Sequence, residues 1–286
     1  MSTVAAAFSR EKLLQIARAL PADLHVLSQL GDMLQDVNSD LDAIATLLRR
    51  DVALAARIVR ISNSPVFGAT SRIGSIEEAV NRVGFSEILK LVGTATAARI
   101  SDRVLEHYEI EAVQLRDNML YGAFACEALA VAAGYDGRVA YTAGLLRPLG
   151  FMVLDRACRG NLHRTQWFCN SGAKSYSEWE GGMFGIDNGE VAALILEEWR
   201  FPAQVSSAIR AHYLARSADY DNQLACILNV AHGLAQVVNR AFIGESDCWE
   251  VKPEKLAGAG VTEAQRATAA IRAWSSYDQA VKALAA

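Results

Sequence analysis

Proline is scarce: five in 286 residues, at Pro21, Pro65, Pro148, Pro202 and Pro253. With abundant alanine and leucine, that scarcity favours long uninterrupted helices. The five cysteines, Cys126, Cys158, Cys169, Cys226 and Cys248, form no C-x-x-C pair and are odd in number. A disulfide framework is therefore not expected, and free thiols in a reducing compartment are. There is no excess of basic charge; the formal net charge is -4. Non-specific nucleic-acid binding has no electrostatic footprint here. No apolar run approaches the length of a membrane span: Ala123 to Ala133 is the longest and contains Glu127. Residues 1–10 lack a basic region followed by an apolar core, so no signal peptide is expected. The protein is expected to be cytoplasmic, with no membrane partner.

What is present is a sequence that is 52% hydrophobic, enough to bury a large core. Apolar residues recur at helical spacing. Ser9 precedes Leu13, Leu14, Ile16, Ala17 and Leu20. Leu24, Leu27, Leu30 and Leu34 follow Pro21. Asp51 can cap a helix through Leu54, Ala55, Ile58, Val59 and Ile61. Three boxes of the form Ser/Thr-x-x-Glu/Gln open further helices, at Ser75–Glu78, Ser175–Glu178 and Thr262–Gln265. Asp187 or Asn188 can cap a helix reaching Trp199. Gly181-Gly182-Met183-Phe184-Gly185 reads as a flexible turn, and Asn161 to Phe168 as a helix. Phe201-Pro202 opens a helix reaching His212-Tyr213. No alternating strand pattern of useful length occurs.

Ala143-Gly-Leu-Leu-Arg-Pro-Leu-Gly-Phe-Met-Val-Leu-Asp155 stands out. Its apolar flanks demand burial, yet Arg147-Pro148 sits in the middle. A buried arginine needs a partner, and proline ends or kinks a helix. A structural ion pair to an acidic residue is expected, although the sequence does not identify which.

The ordered pattern Arg57-Ile-Val-Arg-Ile-Ser-Asn63-Ser64, Phe67-Gly68, Ser75-Ile-Glu-Glu-Ala79-Val80 and Val83-Gly84 resembles the HDOD family, whose name stands for HD-related output domain. The likeness runs from about residue 20 to 240. Asn63, Ser64, Gly68, Ser75, Ala79 and Gly84 are its signature and have structural roles. It implies an all-α fold of two packed helical subdomains, an N-terminal short-helix bundle and an HD-like helical bundle. The expected division is residues 1–19 as an N-terminal extension, 20–108 and 109–245 as the two subdomains, and 246–286 as a C-terminal helical extension.

HDOD proteins are similar to HD-type metal phosphohydrolases, which hold a cation with histidines, a His-Asp dipeptide and a late aspartate. Carried across, the dipeptide falls on Arg147-Pro148 and the early histidine near Asn118. A further histidine falls on Asn188, a histidine pair on His212-Tyr213, and the late aspartate on His232. Only His212 keeps a ligand of the expected type. A guanidinium at the metal position opposes cation binding. The resemblance therefore implies a degenerate centre with no metal, cofactor or catalytic residue.

The leading expectation is a non-enzymatic bacterial signal-transduction module that recognises signalling proteins through helix surfaces. A degenerate phosphohydrolase acting on nucleotides or cyclic dinucleotides is the alternative. A cyclic-dinucleotide sensor without turnover is another, with Arg99 and Arg103 spaced to clamp phosphate. His25 and His107 are expected on helix surfaces, and His163 lies beside Arg164. Trp274 and Tyr277 of the C-terminal extension are expected to pack.

Overall fold

The computed structural model describes residues 8–20, 26–27, 29–30, 33, 41–64, 72–100, 104–159 and 167–285. Within these residues the fold is all-α, with no strand; an isolated bridge pairs Leu105 with Ile110. The expectations for Pro21, His25, Pro65, Gly68, Arg103 and His163 lie outside the described residues.

The helices are α1 (Arg10–Ala17), α2 (Leu41–Arg49), α3 (Val52–Ser62), α4 (Ile76–Val83), α5 (Phe85–Ile100), α6 (Ala112–Ala132), α7 (Gly137–Leu146) and α8 (Leu149–Arg159). There follow α9 (Phe168–Ser171), α10 (Tyr176–Phe184), α11 (Asn188–Glu198), α12 (Ala203–Ala211), α13 (Gln223–Val237), α14 (Pro253–Ala259) and α15 (Glu263–Ala285).

Their starts follow the side-chain oxygens in the sequence. Ser9 accepts from the Lys12 amide, Asp51 from Leu54, Ser75 and Ser175 from Glu78 and Glu178, and Asp187 from Glu190. Each satisfies an amide that a helix start leaves unpaired. In two of the boxes the glutamate reaches one residue further back than the usual return bond: Glu78 accepts from Gly74 and Glu178 from Lys174. Thr262 and Gln265 make the full reciprocal pair.

Helices α2 to α5 pack on one another to form the first subdomain. Asn63 ties its α3 to the chain beyond. The carboxamide donates to the Val59 and Ile73 carbonyls and accepts from the Ile73 amide. Ala79 is fully buried, and Gly84 ends α4 at φ 79°. The second subdomain is built on α6, which is buried on almost every side by α7, α13 and α15. Helix α5 packs against α6, α7 and α15, and so joins the two subdomains. Across that junction Lys90 pairs with Glu127 at 3.4 Å. Helix α1 lies against α8 and α11 of the second subdomain rather than beside α2.

Three local expectations are corrected. Gly181-Gly182-Met183-Phe184 is not a turn but the last part of α10. Burial of Trp179 and Phe184 outweighs the glycines' low helix propensity, and Gly185 ends the helix in the left-handed region. His107 is buried, not on a surface: its Nδ1 meets Asp155 at 3.1 Å, and Asp155 also meets Arg159. Pro202 precedes α12 as its cap residue instead of lying in its first turn. Of the expected helix from Asn161 to Phe168, only the last two residues are described, and Phe168 begins the short α9.

Candidate functional site

The Arg147-Pro148 elbow separates α7 from α8. Arg147 closes α7 by donating its amide to the Ala143 carbonyl, and Pro148 has no amide to offer. This bend turns the Arg147 side chain into the middle of the second subdomain, where it is 0% exposed.

Three groups meet the guanidinium there. Nη1 donates to Glu245 Oε1 at 2.5 Å, Nη2 donates to Asn118 Oδ1 at 2.8 Å, and His212 Nε2 lies 3.5 Å from Nη1. The rings of Phe151, Phe242 and Trp249 surround it, with centroids 5.5 to 5.7 Å from Cζ. Aromatic faces attract a cation strongly once water is gone. The partner that a buried arginine demands is therefore Glu245, and the aromatic rings complete the shell.

The centre extends through a second carboxyl. Tyr213 donates its hydroxyl to the same Glu245 oxygen at 2.6 Å and accepts from the Asn188 carboxamide at 2.9 Å. Asn188 also donates both its amide and its carboxamide to Glu180 Oε2, each at 2.8 Å. Glu180 Oε1 meets the Tyr108 hydroxyl at 2.6 Å. Asp187 makes this possible by taking the cap of α11, which leaves Asn188 free to face inward. Gly150 matters too: a Cβ there would overlap the Asn188 carbonyl, so glycine lets α8 approach the start of α11.

The titratable groups follow their surroundings. Burial, then the charge on Arg147, pushes His212 down to about 3, while a hydrogen bond to Ile209 opposes the shift. Nδ1 serves the Ile209 carbonyl at 2.6 Å, so Nε2 presents its lone pair to Arg147. Burial likewise drives His232 well below its ordinary value, reinforced by Arg147 and His212. Burial raises Glu180 to about 8, despite the hydrogen bonds from Tyr108 and Asn188.

Of the six positions inferred from the resemblance, Asn118, Arg147 and His212 touch directly, and Asn188 joins them through Tyr213. The His232 ring lies tilted against Trp249, with centroids 5.2 Å apart, and Pro148 forms the buried elbow. Sequence reasoning missed Glu245, Glu180, Tyr108 and Trp249 as parts of the centre. Their sequence distance from Arg147 gives no signal. Arg99 of the supposed phosphate clamp pairs with Asp51 at 3.5 Å.

The metal ion of HD-type phosphohydrolases does not fit this donor set. A guanidinium sits among the groups that would have to hold it, and Glu245 Oε1 is taken by Arg147 and Tyr213. Among the described residues no three His, Cys, Asp or Glu side chains converge as ligands.

The family model described as HDOD domain matches residues 20–215. The chain belongs to the HDOD family. An uncharacterized protein of Treponema pallidum (strain Nichols) is 28% identical over 204 residues, covering 71% of this HDOD chain and 36% of that protein. The chain thus spans about a third of the length of that relative. An HDOD domain protein of unknown function from Geobacter sulfurreducens is 19% identical with a TM-score of 0.66, over 96% of this chain and 98% of that one. A candidate phosphohydrolase from Shewanella amazonensis SB2B is 22% identical with a TM-score of 0.65, over 96% and 98%. A candidate signal transduction protein from Marinobacter aquaeolei VT8 is 18% identical with a TM-score of 0.69, over 96% and 65%. These likenesses show a shared fold. Glu245 and Trp249, which close the arginine centre, lie beyond the matched residues. Among the described residues no helix is long and apolar enough to cross a membrane.

Proposed function

We propose that this HDOD chain is a non-catalytic signal-transduction module of the bacterial cytoplasm that works by binding other signalling proteins. The observation that carries this reading is the buried guanidinium of Arg147, held by Glu245 and Asn118 where a hydrolase would need a cation and an activated water. The ring nitrogens of His212 and His232 are neutral, but the neighbouring positive charge disfavours a second cation. The packed helical scaffold remains, and helix surfaces at the junction of the two subdomains would serve as the partner site. Recognition by helix surfaces needs shape and apolar anchors rather than a reactive group.

Metal analysis of the purified protein, with a phosphodiesterase assay in added manganese, tests this reading. No stoichiometric metal and no turnover are expected. Stoichiometric metal, with turnover lost in His212→Ala, would replace the proposal with the phosphohydrolase reading. A pull-down from the source lysate then identifies the partner, expected to be a signalling protein and not a nucleic acid.

A further inference from the structure

Hydrogen bonding around Arg147 is incomplete. Glu245 uses only Oε1, which takes both Arg147 Nη1 and the Tyr213 hydroxyl, and Oε2 has no partner. Arg147 therefore holds the carboxylate with one nitrogen instead of the two-pronged grip its fork allows. Its Nε is unpaired as well, as are Trp249 Nε1 and both ring nitrogens of His232. Buried polar atoms are nearly always satisfied. Here the unpaired group includes Arg147 Nε–H, Trp249 Nε1–H and the single N–H of neutral His232, beside a half-used carboxylate. Unpaired acceptors lie in the same centre, Glu245 Oε2 and Asn188 Oδ1 among them, but the three unpaired donors in and beside the guanidinium suit an anion with more accessible oxygens.

Glu245 is also carried by a short element outside the α-helices. It sits on the short 3-10 helix Ile243–Cys248 between α13 and α14, and nearby Ile243 is 83% exposed. Displacing this turn breaks no α-helix. Its seat depends on close approach: a Cβ on Gly244 would overlap the Tyr176 ring.

We propose that the Arg147 centre is a binding site for a small oxyanion, a carboxylate or inorganic phosphate, and that Glu245 is its tethered occupant. A free oxyanion takes the guanidinium and the Tyr213 hydroxyl, and the 243–248 turn swings out. A tethered group competes at an effective concentration of about millimolar or higher. Removing or unseating Glu245 thus exposes the site's own affinity. This inference concerns equilibrium binding and stands apart from whether the chain binds proteins or turns over a substrate.

The test is calorimetric titration of the full chain with sodium phosphate and with sodium formate, against sodium chloride at equal ionic strength. Hydrogen exchange of residues 242–249 is followed in parallel. Wild type is expected to bind saturably, with faster exchange in that segment. Glu245→Gln and Gly244→Ala are expected to bind at least tenfold more tightly, the second without changing any charge. The double variant Arg147→Met with Glu245→Gln, which leaves no buried charge unpaired, is expected to lose binding. Preference for phosphate or for formate names the anion. No saturable binding by wild type, or equal responses in all the proteins, overturns the proposal.

Discussion

Glu245 and Glu180 lie in one hydrogen-bonded chain, both shut away from water, yet only Glu245 has a cation. Glu245 meets the Arg147 guanidinium. Glu180 meets the Tyr108 hydroxyl, the Asn188 amide and the Asn188 carboxamide, and its pKa still rises to about 8. Well-aligned neutral donors thus do not replace a countercharge, because the cost of taking a carboxylate out of water exceeds what they return. One end of the chain is an ion pair, and at the other burial favours the protonated carboxyl.

The sharpest break in this contrast removes the cation. Arg147→Met leaves Glu245 buried without a countercharge and is expected to cost about 3–5 kcal/mol in urea unfolding. Adding Glu245→Gln removes both charges and should recover most of that loss; simple additivity of the two changes would refute the pairing. Next comes Gly150→Ala, which pushes on the Asn188 carbonyl. A cost of about 3 kcal/mol is expected, because backbone on both sides resists the added methyl.

A smaller effect separates the carboxyls by pH. The folded pKa of Glu180 lies above its unfolded value, so the folded state binds the extra proton. The resulting stability is complete below about 4.5 and is lost as pH rises through about 8. His212 acts in the opposite sense. Its folded pKa of about 3 means that stability falls as pH drops below 6.5, because the unfolded chain takes up a proton that the fold refuses. Between pH 6.5 and 8 the Glu180 contribution declines by up to about 1.4 kcal/mol per pH unit. Thermal unfolding of Glu180→Gln should show that decline removed, with the acid limb steeper between pH 4.5 and 6.5 and unchanged below 4.5. The mildest change is Tyr108→Phe, which deletes one hydrogen bond to Glu180. It should cost about 1 kcal/mol and move the alkaline limb to higher pH, as read from unfolding midpoints.

Much of this was legible in the residues. The caps at Ser9, Asp51, Ser75, Ser175 and Asp187 needed only local chemistry, and all accept the amides expected of them. That Arg147 had to be buried and paired followed from its apolar flanks. The identity of its partner did not, because Glu245 is 98 residues away on a polar turn with no periodicity to reveal its inward face. Glu180 was hidden for another reason. Two glycines beside it spell a turn, and only tertiary burial of Trp179 and Phe184 makes that stretch helical. His107 looked exposed because its neighbours Glu106 and Glu109 are polar. The contact that buries it comes from Asp155, on a helix 48 residues away.

The distance from Arg147 to Glu245 also sets a timetable. During synthesis the arginine emerges 98 residues ahead of its carboxylate, an interval of about 5–20 s at ordinary elongation rates. Through that interval α7 and α8 can form, and Asn118 and Phe151 are at hand, but their elbow carries a charge with no carboxylate to neutralise it. The ion pair that neutralises the interior of the second subdomain therefore cannot form until the 243–248 segment is made.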